Sequence, residues 1–183
     1  LGRPFDEALA KQIAPDVIIL ALGTVPVVPE IPGVDRSNVH QAVDVLNGTR
    51  EVKGETVVVI GAGSVGCETA LFLAQKGKKV TVLEMLPEIL ADEDALLNKT
   101  VLTVLLDAKH NDVNTVVNAK VSEIRPGAVV ALVNGDEKSF PAEDVVLAVG
   151  LTPTAEPSLA GVQAQILRIG DGQPPKTIFD AVH

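Results

Sequence analysis

The chain has 183 residues, of which 46% are hydrophobic and 21% are charged, enough to bury the core of one large domain or two small ones. Its formal net charge is −9, from 24 acidic and 15 basic side chains. Because phosphate-rich partners attract clustered Lys and Arg, this balance argues against nucleic acid and anionic membranes as partners. Cys67 is the only cysteine, which excludes an intramolecular disulfide and any cluster held by several cysteines.

Other general features point to a cytoplasmic protein. The longest apolar runs are far too short to span a bilayer, and no charged-then-apolar leader opens the chain. The three histidines lie far apart in sequence, so no metal site is predicted. The first residue is Leu1 rather than Met, which favours a piece of a longer polypeptide over a processed or incomplete N terminus.

The N-terminal segment predicts a helix followed by a strand. Residues 8–13 have the pattern of the last turns of a helix. Residues 16–23 form an apolar, largely β-branched run that ends in glycine, which is typical of a strand buried on both faces. Residues 39–46 are predicted to form a short helix with Ser37 or Asn38 as its N-cap.

The next segment predicts a β–α–β unit. Its parts are a buried strand at 56–60, a glycine turn at 61–66, a helix at 68–76 that stops at Gly77, and a second strand at 79–84. Glycine suits the left-handed position that follows a helix. Strand, turn, helix and strand at this spacing form a right-handed crossover, which makes the two strands parallel.

The pattern changes in the second half of the chain. A further helix is predicted from an N-cap at Asp92 to about Lys109. Short strands joined by glycine-containing turns then predict an antiparallel meander, and one more buried strand follows. These strands are predicted at residues 113–124, 128–133, 138–140 and 145–149. The fold class is therefore α/β, with a Rossmann-type parallel sheet and an antiparallel β-meander.

Two segments of the chain resemble each other. Residues 16–26 and 143–153 each contain an acidic residue, a buried strand, a glycine and, three places later, a proline. One interpretation is that the chain visits two related sheets and leaves each at an equivalent point. The other is that any two buried strands with a glycine turn look alike.

The glycine turn matches the pattern G-x-G-x-x-G between a strand and a helix, which predicts a dinucleotide site. Gly61 permits the tight turn, Gly63 lets the backbone approach a pyrophosphate, and Gly66 allows close packing of helix on strand. The amides and positive end of the helix suit a diphosphate. The candidate cofactor-binding residues of this motif are Gly61, Ala62, Gly63, Ser64, Val65 and Gly66.

An acidic residue supports the same prediction. Glu84 ends the second strand, where a carboxylate accepts hydrogen bonds from the ribose of the adenosine half and repels a 2′-phosphate. NAD(H) is therefore favoured over NADP(H), and Met85, directly after Glu84, is included in the site. Two alternatives are a Rossmann-like turn without a ligand and the glycine turn of a methyltransferase.

Two residues after the motif have competing interpretations. Glu68, in the first turn of the helix, either interacts favourably with the helix dipole or lies beside the nicotinamide or its flavin partner. Cys67 is interpreted as a packed side chain, although a helix N terminus can also lower a thiol pKa. No second cysteine is present to form a redox pair.

The run from Val57 to Ala70, with the strand from Lys79 to Pro87, resembles the NAD-binding domain of the pyridine-nucleotide disulfide oxidoreductase superfamily. More narrowly, the chain resembles the C-terminal part of the 2,4-dienoyl-CoA reductase and 2-enoate reductase group. Those enzymes are NADH:flavin oxidoreductases fused to an old-yellow-enzyme barrel. Further matches extend the resemblance over nearly the whole chain, at residues 16–26, 34–35, 42–46 and 169–171.

This resemblance implies a domain organisation and further site residues. Residues 56–150 would be an NAD(H)-binding domain, whereas 1–55 and 151–183 would be partial segments of a flanking FAD domain, the first including a linker. In the family, the position of Asp171 helps hold FAD, and that of Glu68 lies beside the nicotinamide–flavin contact. Gly150 would line the cleft between the two domains.

The implied function is that of an NAD(H)-binding fragment that passes hydride from NADH to FAD in the full-length enzyme. Its partners would be NADH and the remaining FAD- and FMN-binding domains of the parent chain. The sequence holds no second G-x-G-x-x-G for FAD, so it carries at best half of a flavin site, and we expect NADH binding without turnover. The alternatives are a non-catalytic nucleotide-binding or interaction module and a small reductase that uses free flavin.

Overall fold

The structure is a computed structural model that describes residues 2–91, 96–107, 111 and 113–172, except for the side chains of 96, 97 and 172. The described residues form two compact units. Unit 1 takes its residues from Leu1–Val25 and Leu151–His183, and unit 2 from Pro26–Gly150.

Helices and strands alternate in the first part of the chain, and strands dominate the second. The helices are α1 (Glu7–Ile13), α2 (Ala42–Leu46), α3 (Ser64–Gln75) and α4 (Leu96–Leu106), and Gly170–Gly172 is a 3-10 turn. The strands are β1 (Val17–Leu20), β2 (Thr24–Pro26), β3 (Val39–Gln41), β4 (Thr56–Ile60), β5 (Lys79–Leu83), β6 (Val113–Val116), β7 (Ala119–Arg125), β8 (Ala128–Val133), β9 (Asp136–Pro141), β10 (Asp144–Leu147), β11 (Leu151–Pro153) and β12 (Gln165–Arg168).

Unit 2 is built on a five-stranded sheet in the order β3-β10-β4-β5-β6, in which every neighbouring pair is parallel. Alternate side chains of its strands enter different cores, as the period of two requires. Val57 and Val59 pack with residues of the helices, whereas Val58 and Ile60 pack with residues of the antiparallel strands. The predicted α/β fold with a Rossmann-type sheet and a meander is confirmed.

The meander consists of β7, β8 and β9, paired antiparallel. A register shift lies between Val121 and Glu123. The turn between β8 and β9 has positive φ at both Asn134 and Gly135, 51° and 93°, the combination that two-residue hairpins favour. The turn contains a glycine, as the sequence predicted for the meander.

Two predicted elements of unit 2 were wrong in detail. The run 113–124 is not one strand, because β6 joins the parallel sheet and β7 the meander, with Asn118 at φ 51° between them. The run 39–46 begins as strand β3, since it pairs with β10, and becomes helical only at Ala42. Gln41 is the N-cap and makes no side-chain capping bond.

Helix boundaries also moved. Helix α3 starts at Ser64, inside the predicted glycine turn, and Gly77 has the expected positive φ, 81°. The predicted ends of the following helix, Asp92 and Lys109, lie outside the described residues, which show α4 from Leu96 to Leu106.

Unit 1 contains α1 and a two-stranded parallel sheet of β1 and β12. Asp6 caps α1 by accepting a hydrogen bond from the Leu9 amide. The prediction that the first strand is buried on both faces was wrong. Ile18 and Leu20 are buried, whereas Val17 and Ile19 are 45% and 59% exposed.

The two similar segments end in the same way. Each strand, β1 and β10, is followed by a glycine with positive φ, Gly23 and Gly150, and then by a short strand, and these short strands, β2 and β11, pair with each other. Residues 26–55, which the family resemblance assigned with residues 1–25 to a partial FAD-domain segment and linker, are part of unit 2 in the structure. Within the described ranges, no helix is both long and apolar enough to cross a bilayer.

Candidate dinucleotide site

The candidate site lies at the carboxyl edge of the parallel sheet in unit 2. Strands β4, β10 and β5 are adjacent and parallel, so the residues that follow Ile60, Leu147 and Leu83 emerge at one edge. The Gly61 amide donates to the carbonyl of Leu83, at 2.9 Å. In open parallel sheets, ligands bind at this edge.

The three glycines of the motif have different surroundings. Gly61 has φ 100°, and a Cβ there would lie 2.5 Å from the Ala148 carbonyl oxygen. A Cβ on Gly66 would overlap the carbonyl oxygen of Gly61, so only glycine allows the helix to approach the strand this closely. A Cβ on Gly63 would meet nothing within 4 Å, and would therefore occupy open space beside the turn.

The start of α3 provides the groups that a diphosphate needs. Gly63 is the N-cap residue, and as a glycine it has no side chain that could cap the helix. Its carbonyl accepts the Cys67 amide at 3.0 Å. The helix has 12 residues, and the first amides of a helix have no partner within it. Open space at Gly63 and the positive end of the helix dipole together fit a pyrophosphate.

Glu84 is buried beside the glycine turn, with only 8% of its surface exposed. One carboxylate oxygen accepts the Ala62 amide at 2.7 Å, and the other accepts the Leu86 amide at 2.8 Å. The carboxylate therefore binds the turn itself. Each oxygen retains a second lone pair, so these bonds leave acceptor capacity for ribose hydroxyls.

The residues next to the motif differ in exposure. Met85 and Val65 are exposed, at 65% and 39%, and Glu68 is exposed on α3. Cys67 is fully buried and donates to the Ala62 carbonyl at 3.4 Å. Burial, followed by the negative charges of Glu84 and Glu68, raises the pKa of the Cys67 thiol to about 12. This favours the interpretation of Cys67 as a packed side chain rather than a reactive thiol.

The last two predicted residues stand apart from the turn in sequence. Gly150 follows β10 at the same edge of the sheet, has φ 103°, and its carbonyl accepts the Val27 amide at 3.0 Å. Asp171 belongs to the 3-10 turn of unit 1 and is partly exposed. Unit 2 thus contains every predicted cofactor-binding residue except Asp171. Among the residues that the structure describes, no three His, Cys, Asp or Glu side chains form a metal-binding group.

Leu90 was not among the predicted site residues. Its amide donates to the Ala62 carbonyl at 2.7 Å, its φ is 55°, and its side chain is buried. No sequence signal identifies it, because the sequence does not distinguish a leucine in a left-handed conformation from any other core leucine.

Comparison with known proteins gives a consistent assignment. The family model for pyridine nucleotide-disulphide oxidoreductases matches residues 6–172. The NADH oxidase of Thermoanaerobacter brockii is 38% identical over 188 residues, which cover 99% of this chain and 28% of the relative. The bilirubin reductase of Mediterraneibacter gnavus is 38% identical over 178 residues, which cover 93% of this chain and 26% of the relative.

A solved structure agrees with these sequence relatives. A 2-naphthoyl-CoA reductase in complex with 2-naphthoyl-CoA superposes with a TM-score of 0.83 and 30% identity, over 100% of this chain and 28% of that one. The chain therefore spans little more than a quarter of the length of these relatives. It belongs to the pyridine nucleotide-disulphide oxidoreductase family, whose members are flavin-dependent enzymes that use pyridine nucleotides.

Proposed function

We propose that this chain is the NADH-binding portion of a larger flavin-dependent oxidoreductase, in which hydride passes from NADH to FAD. One observation carries the proposal. Gly63, where an added Cβ would meet nothing within 4 Å, is the N-cap of α3, and a buried carboxylate directly after the neighbouring strand is bonded to the same turn. This combination fits a coenzyme with a diphosphate and an unphosphorylated ribose.

The proposed roles of the residues follow from their positions. Gly63, Ser64, Val65 and Gly66 would present backbone amides to the pyrophosphate at the start of α3. Glu84 would accept the ribose hydroxyls, and Met85, which is exposed directly beyond it, would cover the adenosine half. Gly61 and Ala62 would hold the turn in shape. Glu68 and Gly150 are assigned to the nicotinamide end.

The nicotinamide supplies hydride when it is bound, and the protein supplies binding and orientation. The buried Glu84 carboxylate would lie beside the ribose, where it disfavours a 2′-phosphate. Cys67 takes no part, since its raised pKa keeps the thiol protonated at neutral pH. Because the chain carries at best half of a flavin site, we propose that in isolation it binds NADH without turnover.

Unit 1 is proposed to be part of an FAD-binding domain, with Asp171 among the residues that hold FAD. Its two-stranded parallel sheet has one apolar face exposed, whereas parallel sheets are normally covered on both faces. A cavity of about 340 Å³ lies on this unit and is lined by apolar residues, including Phe5, Ile13, Val17 and Ile19. These features support a unit that other segments complete.

The narrower assignment, to the 2-enoate reductase-like enzymes with an old-yellow-enzyme barrel, is also a proposal. A cinnamate reductase of Clostridium sporogenes is 36% identical over 140 residues, which cover 76% of this chain and 21% of that relative, and this supports the enoate-reductase part of the assignment. In this proposal the partners of the chain are the FAD- and FMN-binding domains of its parent polypeptide. The cytoplasmic location belongs to the same proposal.

Titration calorimetry with NADH and NADPH tests the cofactor assignment. We expect one NADH per chain, at least about tenfold weaker binding of NADPH, and a loss of that preference in Glu84→Gln, because the 2′-phosphate then meets no carboxylate. Glu123→Gln removes the same charge from β7 in the meander and should leave the preference unchanged. Tighter binding of NADPH by the unsubstituted chain would contradict the role of Glu84.

An absorption scan of the purified chain tests the flavin assignment. With only part of an FAD domain present, we expect no flavin spectrum at stoichiometric strength. A stoichiometric yellow chromophore would show that the chain contains a whole flavin site.

A further inference from the structure

We infer that Leu90 is a positioning residue for the dinucleotide: its backbone amide fixes the peptide whose other end, the Gly63 amide, faces the pyrophosphate. The inference rests on the proposed function for its ligand. It goes beyond that function because it assigns a role to a residue outside the predicted cofactor-binding set.

The Ala62 backbone is held from both sides by the segment that follows β5. Its amide donates to the Glu84 carboxylate at 2.7 Å, and its carbonyl accepts the Leu90 amide at 2.7 Å. The two peptide planes on either side of the Ala62 Cα are therefore both bonded to residues 84–90. The buried Cys67 thiol adds a weak bond to the same carbonyl, at 3.4 Å.

The direction of the Gly63 amide follows from the geometry of the peptide. In a planar trans peptide, the carbonyl of one residue and the amide of the next point in opposite directions. The Ala62 carbonyl points to the Leu90 amide, so the Gly63 amide points away from it. That is the amide at the N-cap of α3, beside the open space at Gly63.

Without the Leu90 bond, this peptide could rotate. Gly61 and Gly63 flank Ala62, and glycine permits backbone conformations that other residues resist. A rotated peptide would present the Ala62 carbonyl oxygen to the pyrophosphate, and two negative groups would then face each other. The bond from Leu90 selects the orientation that attracts the phosphate.

Leu90 is itself held in an unusual conformation. Its φ is 55°, a left-handed value that a leucine adopts only where its surroundings fix it, and its side chain is 1% exposed in the core that also contains Ala62 and Cys67. The burial of the side chain therefore holds the amide in place. Packing of the Leu90 side chain in this core therefore helps to fix the direction of the Gly63 amide, which is proposed to bind the cofactor.

The segment from Glu84 to Leu90 is anchored elsewhere as well. The Glu84 amide donates to the Val116 carbonyl at 2.9 Å, and the Glu84 carbonyl accepts the Ala119 amide at 2.7 Å. The Leu86 carbonyl accepts the Asn118 amide at 3.0 Å. These bonds to the β6–β7 region make the segment a fixed support for the turn.

The test compares two leucines of the same core. Leu90→Ala and Leu102→Ala each remove a buried leucine side chain, but only Leu90 is bonded to the glycine turn. The NADH dissociation constant is measured by calorimetry on the folded proteins, and thermal stability is measured alongside. Leu90→Ala should raise the dissociation constant about tenfold, whereas Leu102→Ala should lower stability and leave binding unchanged. Leu90→Met, which keeps an apolar side chain of similar size, should restore binding.

Equal dissociation constants in Leu90→Ala and the unsubstituted chain would overturn the inference, as would an equal loss of affinity in both alanine variants. A ligand-free measurement separates this failure from a failure of the proposed function. Relaxation-dispersion NMR on the Gly63 amide should show slow conformational exchange in Leu90→Ala and none in Leu102→Ala. If the unsubstituted chain binds no NADH, the proposed function fails; absence of the Gly63 exchange in Leu90→Ala refutes the Leu90 role.

Discussion

The three glycines of the turn have different local surroundings, so substitution of each should have a different consequence. Gly61 needs its positive φ, and Gly66 needs the absence of a Cβ against the Gly61 carbonyl. Gly63 has an ordinary φ, −69°, and an added Cβ would meet nothing within 4 Å, so the fold of the chain does not require glycine at this position. A requirement for glycine there would come from a ligand.

Gly63→Ala and Gly66→Ala therefore form a matched pair. Gly63→Ala should leave the unfolding free energy unchanged within about 0.5 kcal/mol and weaken NADH binding about tenfold or more, because its Cβ meets the pyrophosphate. Gly66→Ala should cost about 2 kcal/mol of stability, since the helix must move from the strand. Urea unfolding and calorimetry measure the two quantities. Unchanged NADH affinity in Gly63→Ala would exclude close approach of the coenzyme at this residue.

The thiol of Cys67 should be inert in the folded chain. It is fully buried, and its pKa is raised to about 12, so almost no thiolate is present at pH 8. A thiol-reactive chromogenic disulfide should therefore label Cys67 slowly in the native protein and rapidly in urea. Rapid stoichiometric labelling of the native chain would reopen the interpretation of Cys67 as a reactive group.

At this scale the cofactor-binding positions stay a prediction from the sequence, and the structure adds contacts around them that the sequence did not predict. The glycine spacing and the position of Glu84 follow from a pattern in which each residue has its own steric or electrostatic reason. The bonds from the Glu84 carboxylate to the Ala62 and Leu86 amides do not, because they depend on how the segment after β5 folds back. The same fold-back brings Leu90 to the turn.

At the scale of elements, the start of β4 is fastened by two adjacent carboxylates. Glu143 accepts the Glu55 and Thr56 amides, at 2.5 and 3.0 Å. Asp144 accepts the Lys53 and Gly54 amides, at 3.0 and 2.7 Å, and its other oxygen contacts His40 at 3.0 Å. Four consecutive amides thus bind two side chains that stand at the start of β10.

These bonds make the stability of unit 2 sensitive to acid. Hydrogen bonds from Thr56 and then Glu55 lower the pKa of Glu143. Burial alone would raise the pKa of Asp144, but bonds from Gly54, His40 and Lys53 outweigh it and hold that pKa below its usual value of 3.8. The stabilisation is therefore complete above the unfolded pKa values, about 4, and is lost as the pH falls through the lower folded values.

Asp144→Ala tests this fastening. Asp144 is 7% exposed, and its removal would leave the Lys53 and Gly54 amides without their acceptor, so we expect a loss of about 2 kcal/mol at pH 7. The difference from the unsubstituted chain should begin to shrink as the pH falls below about 4, where the unfolded carboxyl is protonated, and should disappear as the pH falls through the lower pKa of the native carboxylate. Urea unfolding from pH 7 to pH 3 measures both. Glu30→Gln, an equal change of charge at an exposed carboxylate, should show no such pH dependence.

The elements most easily predicted were those with a strong local pattern. Strands β4 and β5 and helix α3 have the sequence pattern of a β–α–β unit, and the turns of the meander contain the glycines that predict turns. The division of 113–124 between two sheets was missed, because the positive φ at Asn118 depends on the tertiary structure and not on a local sequence pattern. Strand β3 was missed because its strand conformation depends on pairing with β10.

At the scale of the whole molecule, the two units differ in how well they cover their sheets. The central strands of unit 2 have both faces buried, whereas β1 of unit 1 exposes Val17 and Ile19 beside the apolar cavity. The sequence suggested a strand buried on both faces, which is the burial that such an apolar run has in a complete parallel sheet. The mismatch supports the proposal that unit 1 functions within a larger flavin-binding domain.

The exposed face of β1 should dominate the self-association of the isolated chain. Ile19→Lys places a charge on this face, and we expect it to reduce binding of a hydrophobic dye and concentration-dependent association, because exposed apolar patches drive both. Val104→Lys on α4, a residue 63% exposed, is the matched control and should change them little. Equal effects of the two substitutions would mean that the β1 face contributes no more to dye binding and self-association than α4 does.

The central claim is that NADH binds at the turn between β4 and α3, with its ribose at the end of β5. Amide chemical-shift mapping by NMR during an NADH titration tests it most directly. We expect saturable shifts at Gly61–Gly66, Glu84 and Met85, and none in β8 and β9 of the meander. Saturable shifts confined to other residues, or no shifts at all, would contradict it.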